Sequence, residues 1–119
     1  MKIAITSLDK DLDSQIDPRF GRAAYIFIVE TDSYEVQVVD NSENFNAFKG
    51  AGIQAAATLS KSGAEVLLTG YCGPNAFKTL QAAGIKVVND VSGKVKDAVD
   101  AFNEGKVTFA DIANVEAHW

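Results

Sequence analysis

The sequence predicts an α/β domain in which a mixed β-sheet is covered by helices. Residues 1–40 contain three runs rich in β-branched and aromatic residues, and the remainder alternates helical and strand patterns. A length of 119 residues suits one domain with a hydrophobic core and is too short for two. We therefore expect a single domain over residues 1–107, followed by a tail or short extra element over residues 108–119.

Three predicted strands come first along the chain. The apolar run at 2–7 predicts a buried strand, the run at 24–31 is rich in aromatic and β-branched residues, and residues 34–40 alternate in polarity. A Thr-Asp-Ser turn separates the last two runs, so we expect them to pair as an antiparallel hairpin. Residues 8–22 form a long polar loop between the first two strands.

The second half of the chain predicts two αβ units and a final helix. These elements are a helix over 52–63 with Gly63 as its stop, a strand over 64–70, a helix over 74–84, a strand over 85–90 and a helix over 92–105. With right-handed crossovers, the order β-β-β-α-β-α-β-α gives a five-stranded mixed sheet in the order 3-2-1-4-5 with flanking helices. This is the ribonuclease H-like arrangement.

The composition excludes several classes of protein. A net charge of -5 argues against a general nucleic-acid binder, which would show a basic face. No apolar run approaches the roughly 20 residues that span a bilayer, and the first residues do not resemble a signal peptide, so we expect a cytoplasmic protein without a membrane partner. The single cysteine, Cys72, excludes an internal disulfide and a paired-cysteine metal clip.

Loops and helix starts are expected to converge at one edge of this sheet. Strands one, three, four and five point the same way, so the loops 8–22, 41–52 and 70–74 gather at their carboxyl ends. Strands one and four are neighbours whose connections leave in different directions, which is the switch point where open α/β sheets usually bind ligands. The sequence therefore places its loops of interest around this crevice.

The residues at that edge predict an anion site. The segments 49–56 and 69–76 open two helices with glycine-rich starts, and free N–H groups at such starts favour an anion. Arg19 and Arg22, in the stretch "DPRFGR" at 17–22, add positive charge and forked donors.

Plainer interpretations of the same residues stay open. The stretch 17–22 also fits a simple turn, with Asp17 paired to an arginine and Phe20 in the core. The segment 50–55, "GAGIQA", formally fits a dinucleotide-binding pattern, but no strand directly precedes it. Cys72 fits a small buried hydrophobe, or a reactive thiol whose pKa is lowered by its place before a helix.

Catalysis has little support in the sequence. The strand 2–7 carries no carboxylate, and the strand 64–70 ends near Thr69, which is also not an acid. A ribonuclease H-type nuclease needs acidic residues on its central strands to hold divalent ions. The only histidine, His118, has no companion ligand at metal spacing and no credible serine partner. We expect a protein that is not an enzyme.

Four stretches together resemble one known family, the dinitrogenase iron–molybdenum cofactor biosynthesis family. They are "IDPRFGRAAYIFIVET", "GAGIQAA", "TGYCGPNAFKTLQAAGIKV" and "DAVDAFNEGK". The family includes NifX-like proteins, the carboxyl-terminal domain of NifB and stand-alone proteins of the orange-protein type, which carry a molybdenum–copper sulfide cluster. The resemblance covers residues 2 to about 107.

This resemblance implies a ribonuclease H-like fold without nuclease activity and a non-catalytic carrier or assembly role. The implied cargo is an anionic metal–sulfur cluster or thiometallate precursor, of the iron–molybdenum or molybdenum–copper type, exchanged with donor and acceptor proteins. Cys72 is the one candidate metal ligand. The full set of predicted ligand-binding residues is Asp17, Arg19, Arg22, Gly50, Gly52, Gln54, Gly70, Cys72, Gly73 and Asn75.

A second class of function stays open at this point. The same sheet edge could belong to a regulatory or interaction domain that binds a partner protein or a nucleotide. A coloured product after reconstitution with a thiometallate would favour the first class, and nucleotide-dependent thermal stabilisation without colour would favour the second.

Overall fold

A computed structural model of the protein describes residues 1–41 and 51–110. Each predicted helix and strand is present in the predicted order, and its ends lie within the predicted range or one residue outside it. The elements are β1 Lys2–Ser7, β2 Tyr25–Glu30, β3 Val36–Asp40, α1 Ala51–Ser62, β4 Val66–Leu68, α2 Pro74–Ala82, β5 Lys86–Val88 and α3 Val95–Asn103. No helix in these two ranges has the length and apolar character needed to cross a bilayer.

The predicted sheet order is confirmed. The five strands lie in the order β3-β2-β1-β4-β5. β1 pairs antiparallel with β2, which pairs antiparallel with β3, and the pairs β1–β4 and β4–β5 are parallel. Ile5 lies opposite Phe27 on one side and Leu68 on the other, which fixes the register at the centre of the sheet.

Helices cover both faces of the sheet because side chains alternate between the faces along each strand. On one face, α1 and α2 pack on a cluster that includes Ala4, Ile26, Ile28, Leu59, Leu67, Phe77 and Leu80. On the other face, α3 packs through Val95, Ala98 and Val99 on a cluster that includes Ile3, Ile5, Phe27 and Leu68. Val95, Ala98 and Val99 are spaced as one face of a helix, and this face of α3 is buried.

The ends of α2 match the chemistry of the sequence. Pro74 occupies the first turn, where a missing N–H group costs nothing, and Gly84 follows the helix with φ of 77°, a conformation that glycine adopts without strain. Beyond α3, the chain returns to the outer edge of the sheet, where the Ala110 nitrogen donates to the Val87 carbonyl at 2.7 Å.

Candidate functional site

Residues 17–22, called the arginine loop below, run beside the segment that leads into α2. The Tyr71 nitrogen donates to the Pro18 carbonyl at 2.6 Å, and the Phe20 nitrogen donates to the Tyr71 carbonyl at 3.1 Å. These bonds place Arg19 next to Tyr71 in a short parallel bridge. The arginine loop and the start of α2 are thus joined by backbone hydrogen bonds.

Two glycines bring the arginine loop and both helix starts into contact. A Cβ atom on Gly21 would lie 2.5 Å from the Gly52 nitrogen, and a Cβ on Gly52 would lie 2.8 Å from the Ala76 Cβ. Only glycine permits approaches this close. The predicted convergence of these segments at one sheet edge is confirmed for the residues that the structure describes.

The crevice between β1 and β4 is filled by the chain itself. Asp17 and Thr6 exchange two hydrogen bonds, from the Asp17 nitrogen to the Thr6 carbonyl at 3.1 Å and from the Thr6 hydroxyl to the Asp17 carbonyl at 2.6 Å. The Thr6 and Thr69 hydroxyls pair at 2.9 Å, and Gly70 packs directly against Pro18. The arginine loop therefore crosses the switch point and meets the helices on the side of α1 and α2.

Asp17 is fully buried, and its carboxylate accepts hydrogen bonds from nearby residues of the chain. Its Oδ1 accepts from the Arg19 nitrogen at 3.1 Å and from the Arg19 Nε at 3.4 Å, and its Oδ2 accepts from the Ala24 nitrogen at 3.2 Å. Phe20 is buried in the core cluster beneath α1 and α2. The simple-turn interpretation is confirmed for these two residues, so Asp17 supports Arg19 and would repel an anion rather than bind it.

The two arginines differ from Asp17 in exposure. The Arg19 side chain is 39% exposed although its Nε is paired to Asp17, and Arg22 is half-buried. Both keep solvent-accessible surface beside the first turns of α1 and α2, where helix dipoles also favour negative charge. This edge therefore combines two arginine side chains with two helix starts in a protein whose net charge is -5.

The start of α3 has a different environment at the same edge. The Val95 nitrogen donates to the Ser14 carbonyl and the Lys96 nitrogen donates to the Leu12 carbonyl, both at 2.9 Å. The first half of the long loop therefore caps α3 with its own carbonyl groups. Among the described helices, α1 and α2 are the ones whose starts face the arginine loop.

Asn41 is a site residue that the sequence did not reveal. It follows β3 directly, and its Nδ2 donates to the Gly21 carbonyl at 3.1 Å and to the Ala23 carbonyl at 2.8 Å. The only sequence signal was a polar residue at the carboxyl end of a strand on the relevant edge. That signal is weak because most such residues face solvent.

Cys72 is buried in the core cluster that also contains Ala76 and Phe77, and it is 1% exposed. Burial raises the pKa of its thiol from 9.0 to about 12. The lowering that its place before a helix predicts is therefore wrong in direction, because desolvation of the thiolate outweighs the helix start. Within the described ranges, no three His, Cys, Asp or Glu side chains form a group suited to a metal ion.

The remaining predicted residues occupy varied positions. Gly73 is the N-cap of α2 in an extended conformation, Asn75 is exposed in the first turn of that helix, and Gln54 is exposed on α1. Gly50 and His118 lie outside the described residues. The structure thus brings Arg19, Gly21 and Gly52 together with the start of α2, and it leaves Gln54 on an exposed helix surface.

Comparison with known proteins identifies similar sequences and structures. The family model for "dinitrogenase iron-molybdenum cofactor" matches residues 1–105. Among proteins with curated descriptions, no match was found.

Two solved structures cover nearly the whole chain. The apo form of the orange protein from Desulfovibrio gigas is 48% identical, with a TM-score of 0.93, and the match covers 96% of each chain. A NifB-like protein from Thermotoga, of the DUF35 family, is 38% identical, with a TM-score of 0.82, and the match covers 96% of this chain and 97% of that one.

Proposed function

Because the chain belongs to the dinitrogenase iron–molybdenum cofactor family, we propose that it is a cytoplasmic, non-catalytic carrier or assembly protein. Its cargo is an anionic metal–sulfur cluster or thiometallate precursor of the molybdenum–copper or iron–molybdenum type. The cargo is bound where the arginine loop meets the starts of α1 and α2, and it is exchanged there with donor and acceptor proteins.

The convergence of two arginines and two helix starts is the observation that supports this proposal. Gly21 contacts Gly52 at the start of α1, and Gly52 contacts Ala76 at the start of α2. Helix starts present N–H groups without an intrahelical acceptor, and arginine provides forked donors, so the arrangement suits a multiply charged anion. A sulfide-bearing cluster has this kind of charge.

We infer that the cargo is held mainly by charge and hydrogen bonds rather than by thiolate ligation. A thiolate is the form that binds metal, and Cys72 is buried with a thiol pKa raised to about 12. One cysteine also cannot saturate a cluster of several metals, whereas a cluster that brings its own sulfides needs few protein ligands. Cys72 is at most a single supporting ligand.

We also infer that the sheet is a ribonuclease H-like arrangement without nuclease activity. The neighbouring carboxyl ends of β1 and β4 present the paired hydroxyls of Thr6 and Thr69. The nearby carboxylate of Asp17 is buried and accepts hydrogen bonds from Arg19 and Ala24. A nuclease of this type requires carboxylates that hold divalent ions.

We expect no cleavage of an RNA–DNA hybrid in the presence of Mg²⁺ or Mn²⁺. The assay follows the hybrid on a denaturing gel with purified protein. Metal-dependent cleavage that disappears with Thr6→Val or Asp17→Asn would contradict the non-catalytic assignment, because contaminating nuclease would not respond to a substitution in this chain.

The proposal is tested by reconstitution. The apo protein is incubated with tetrathiomolybdate and Cu(I), passed through gel filtration and examined for visible absorption that elutes with the protein. A coloured protein fraction supports the carrier function. A colourless protein that gains thermal stability with nucleotides would instead support the regulatory or nucleotide-binding alternative.

A further inference from the structure

We propose that Asn41 is a positioning residue of the anion site, because its side-chain amide fixes the backbone on both sides of Arg22. The inference rests on the proposed function, in which Arg22 contacts the cargo. Asn41 itself need not contact the cargo. Its role is to set where Arg22 stands relative to the helix starts.

The hydrogen bonds of Asn41 bracket Arg22. The Asn41 Nδ2 donates to the Gly21 carbonyl, just before Arg22, at 3.1 Å. It also donates to the Ala23 carbonyl, just after Arg22, at 2.8 Å. The side chain is buried, with 4% of the residue exposed. Both N–H bonds of the amide are thus used to hold one short segment of the arginine loop.

The sheet gives this contact its rigidity. β2 and β3 pair in a register that ends with Tyr25 opposite Asp40, and the Asn41 nitrogen extends the ladder by donating to the Ala24 carbonyl at 3.1 Å. Asn41 is therefore anchored by its backbone to the hairpin and by its side chain to the loop. A site residue held by a rigid element keeps its geometry with less loss of entropy on binding.

The neighbouring packing explains why small movements of this segment would matter. Gly21 lies between the Asn41 amide and the start of α1, where its Cα approaches the Gly52 backbone closely. Loss of the amide would free the Gly21 and Ala23 carbonyls to turn toward solvent. Arg22 would then lose its fixed distance from the helix start without any change in the charge of the protein.

Asp17 has the corresponding role for Arg19, but it carries a charge. Its carboxylate accepts from the Arg19 backbone and side chain, so a substitution there alters both geometry and electrostatics. Asn41 is neutral, and its replacement by alanine keeps the net charge. An effect of Asn41→Ala on anion affinity therefore cannot arise from a change in net charge.

A double-mutant cycle separates positioning from a general structural role. The dissociation constant for tetrathiomolybdate is measured by absorbance titration for the wild type, Asn41→Ala, Arg22→Ala and the double variant. We expect each single substitution to weaken binding about tenfold, in line with the loss of a charge-assisted contact. In the Arg22→Ala background, Asn41→Ala should change the affinity by less than about twofold, because its effect acts through Arg22.

Val99→Ala is the control for lost stability. Val99 is fully buried on the opposite face of the sheet, so its truncation lowers stability without touching the arginine loop. Its dissociation constant should equal that of the wild type. If Asn41→Ala does not fold, the cycle uses Asn41→Ser, which keeps one hydrogen-bond donor. This variant should weaken tetrathiomolybdate binding by less than about tenfold, and only when Arg22 is present.

Two results would overturn the assignment of Asn41. In the first, the wild type and Asn41→Ala bind tetrathiomolybdate equally well. In the second, the effects of Asn41→Ala and Arg22→Ala multiply in the double variant. If the wild type does not bind tetrathiomolybdate, the proposed function itself is refuted, and the inference about Asn41 with it. The titration of the wild type distinguishes this outcome from the two results above.

Discussion

At the scale of the residue, the buried polar groups of the site serve the loop that carries the arginines. The Asp17 carboxylate accepts two backbone N–H groups and the Arg19 Nε, and the Asn41 amide donates to two carbonyls. Buried polar groups without partners are costly, so these contacts define one loop conformation. The arginines are thereby presented from a fixed backbone.

Asp17→Ala should lower the free energy of unfolding by about 2–4 kcal/mol, because it removes the acceptors of the Arg19 and Ala24 nitrogens and leaves a guanidinium without its buried partner. Urea denaturation measures the change. Asp13→Ala, in the same loop but exposed, is the matched control and should change stability by less than about 0.5 kcal/mol. Equal effects of the two substitutions would show that Asp17 does not hold the loop.

Burial of Cys72 should make stability fall at high pH. The folded-state pKa is about 12 against 9.0 for an ordinary thiol. Below pH 9 both states keep the proton. Between pH 9 and 12 the thiol ionises in the unfolded chain but not in the folded one. The free energy of unfolding therefore falls as pH rises through this window, by up to about 1.4 kcal/mol per pH unit.

The measurement is urea unfolding of the wild type and of Cys72→Ala between pH 8 and 10.5. Other groups titrate equally in both proteins, so the difference between their unfolding free energies isolates the thiol. We expect the wild type to lose stability more steeply above pH 9. Parallel curves would mean that the thiol is not desolvated in the folded state.

At the scale of the element, the site depends on the close packing of two helix starts. Gly52 of α1 lies against Ala76 of α2, and the arginine loop packs on the same turn of α1 through Gly21. Two helix starts within contact distance sum their partial positive charges in one place. In the proposed function, the spacing of α1 and α2 therefore affects how strongly an anion is bound.

Gly52→Ala should separate these helix starts, because the new Cβ would lie 2.8 Å from the Ala76 Cβ, which belongs to a short and inflexible side chain. Overpacking of this kind costs about 1–3 kcal/mol in unfolding free energy. Ser60→Ala, on the exposed surface of the same helix, should be neutral or slightly stabilising. Thermal or urea unfolding measures the stability of both variants. A Gly52→Ala variant as stable as the wild type would contradict the observed packing.

The elements and their convergence could be predicted because they follow from local pattern and strand polarity. The face of α3 that packs on the sheet, for example, can be predicted from the spacing of Val95, Ala98 and Val99. The bonds of Asn41 could not be predicted, because they join residues 18 and 20 positions apart through a loop conformation that no periodicity encodes. The direction of the Cys72 pKa depends on whether the thiol turns toward the core or the helix start, which local sequence does not determine.

At the scale of the whole molecule, a protein with a net charge of -5 brings two arginines and two helix starts to one edge of its sheet. The net charge of -5 would repel an anionic cargo at long range, so the proposed function requires short-range contacts at the arginine loop and the helix starts. Such contacts weaken as salt rises, whereas a metal–thiolate bond does not respond in this way. Salt dependence therefore distinguishes the two kinds of site.

Retention of a reconstituted molybdenum–copper sulfide cluster through gel filtration, at low and high salt, tests the central claim most directly. The proteins compared are the wild type, Arg19→Ala/Arg22→Ala, Cys72→Ser and the charge-matched control Lys2→Ala/Lys61→Ala, whose lysines lie at the start of β1 and in the last turn of α1, at the opposite edge. We predict that loss of both arginines weakens binding on the order of a hundredfold or more, that the control and Cys72→Ser retain the cluster, and that high salt weakens the wild type. Full retention by the double arginine variant, together with complete loss in Cys72→Ser, would contradict the account and make the site a thiolate one.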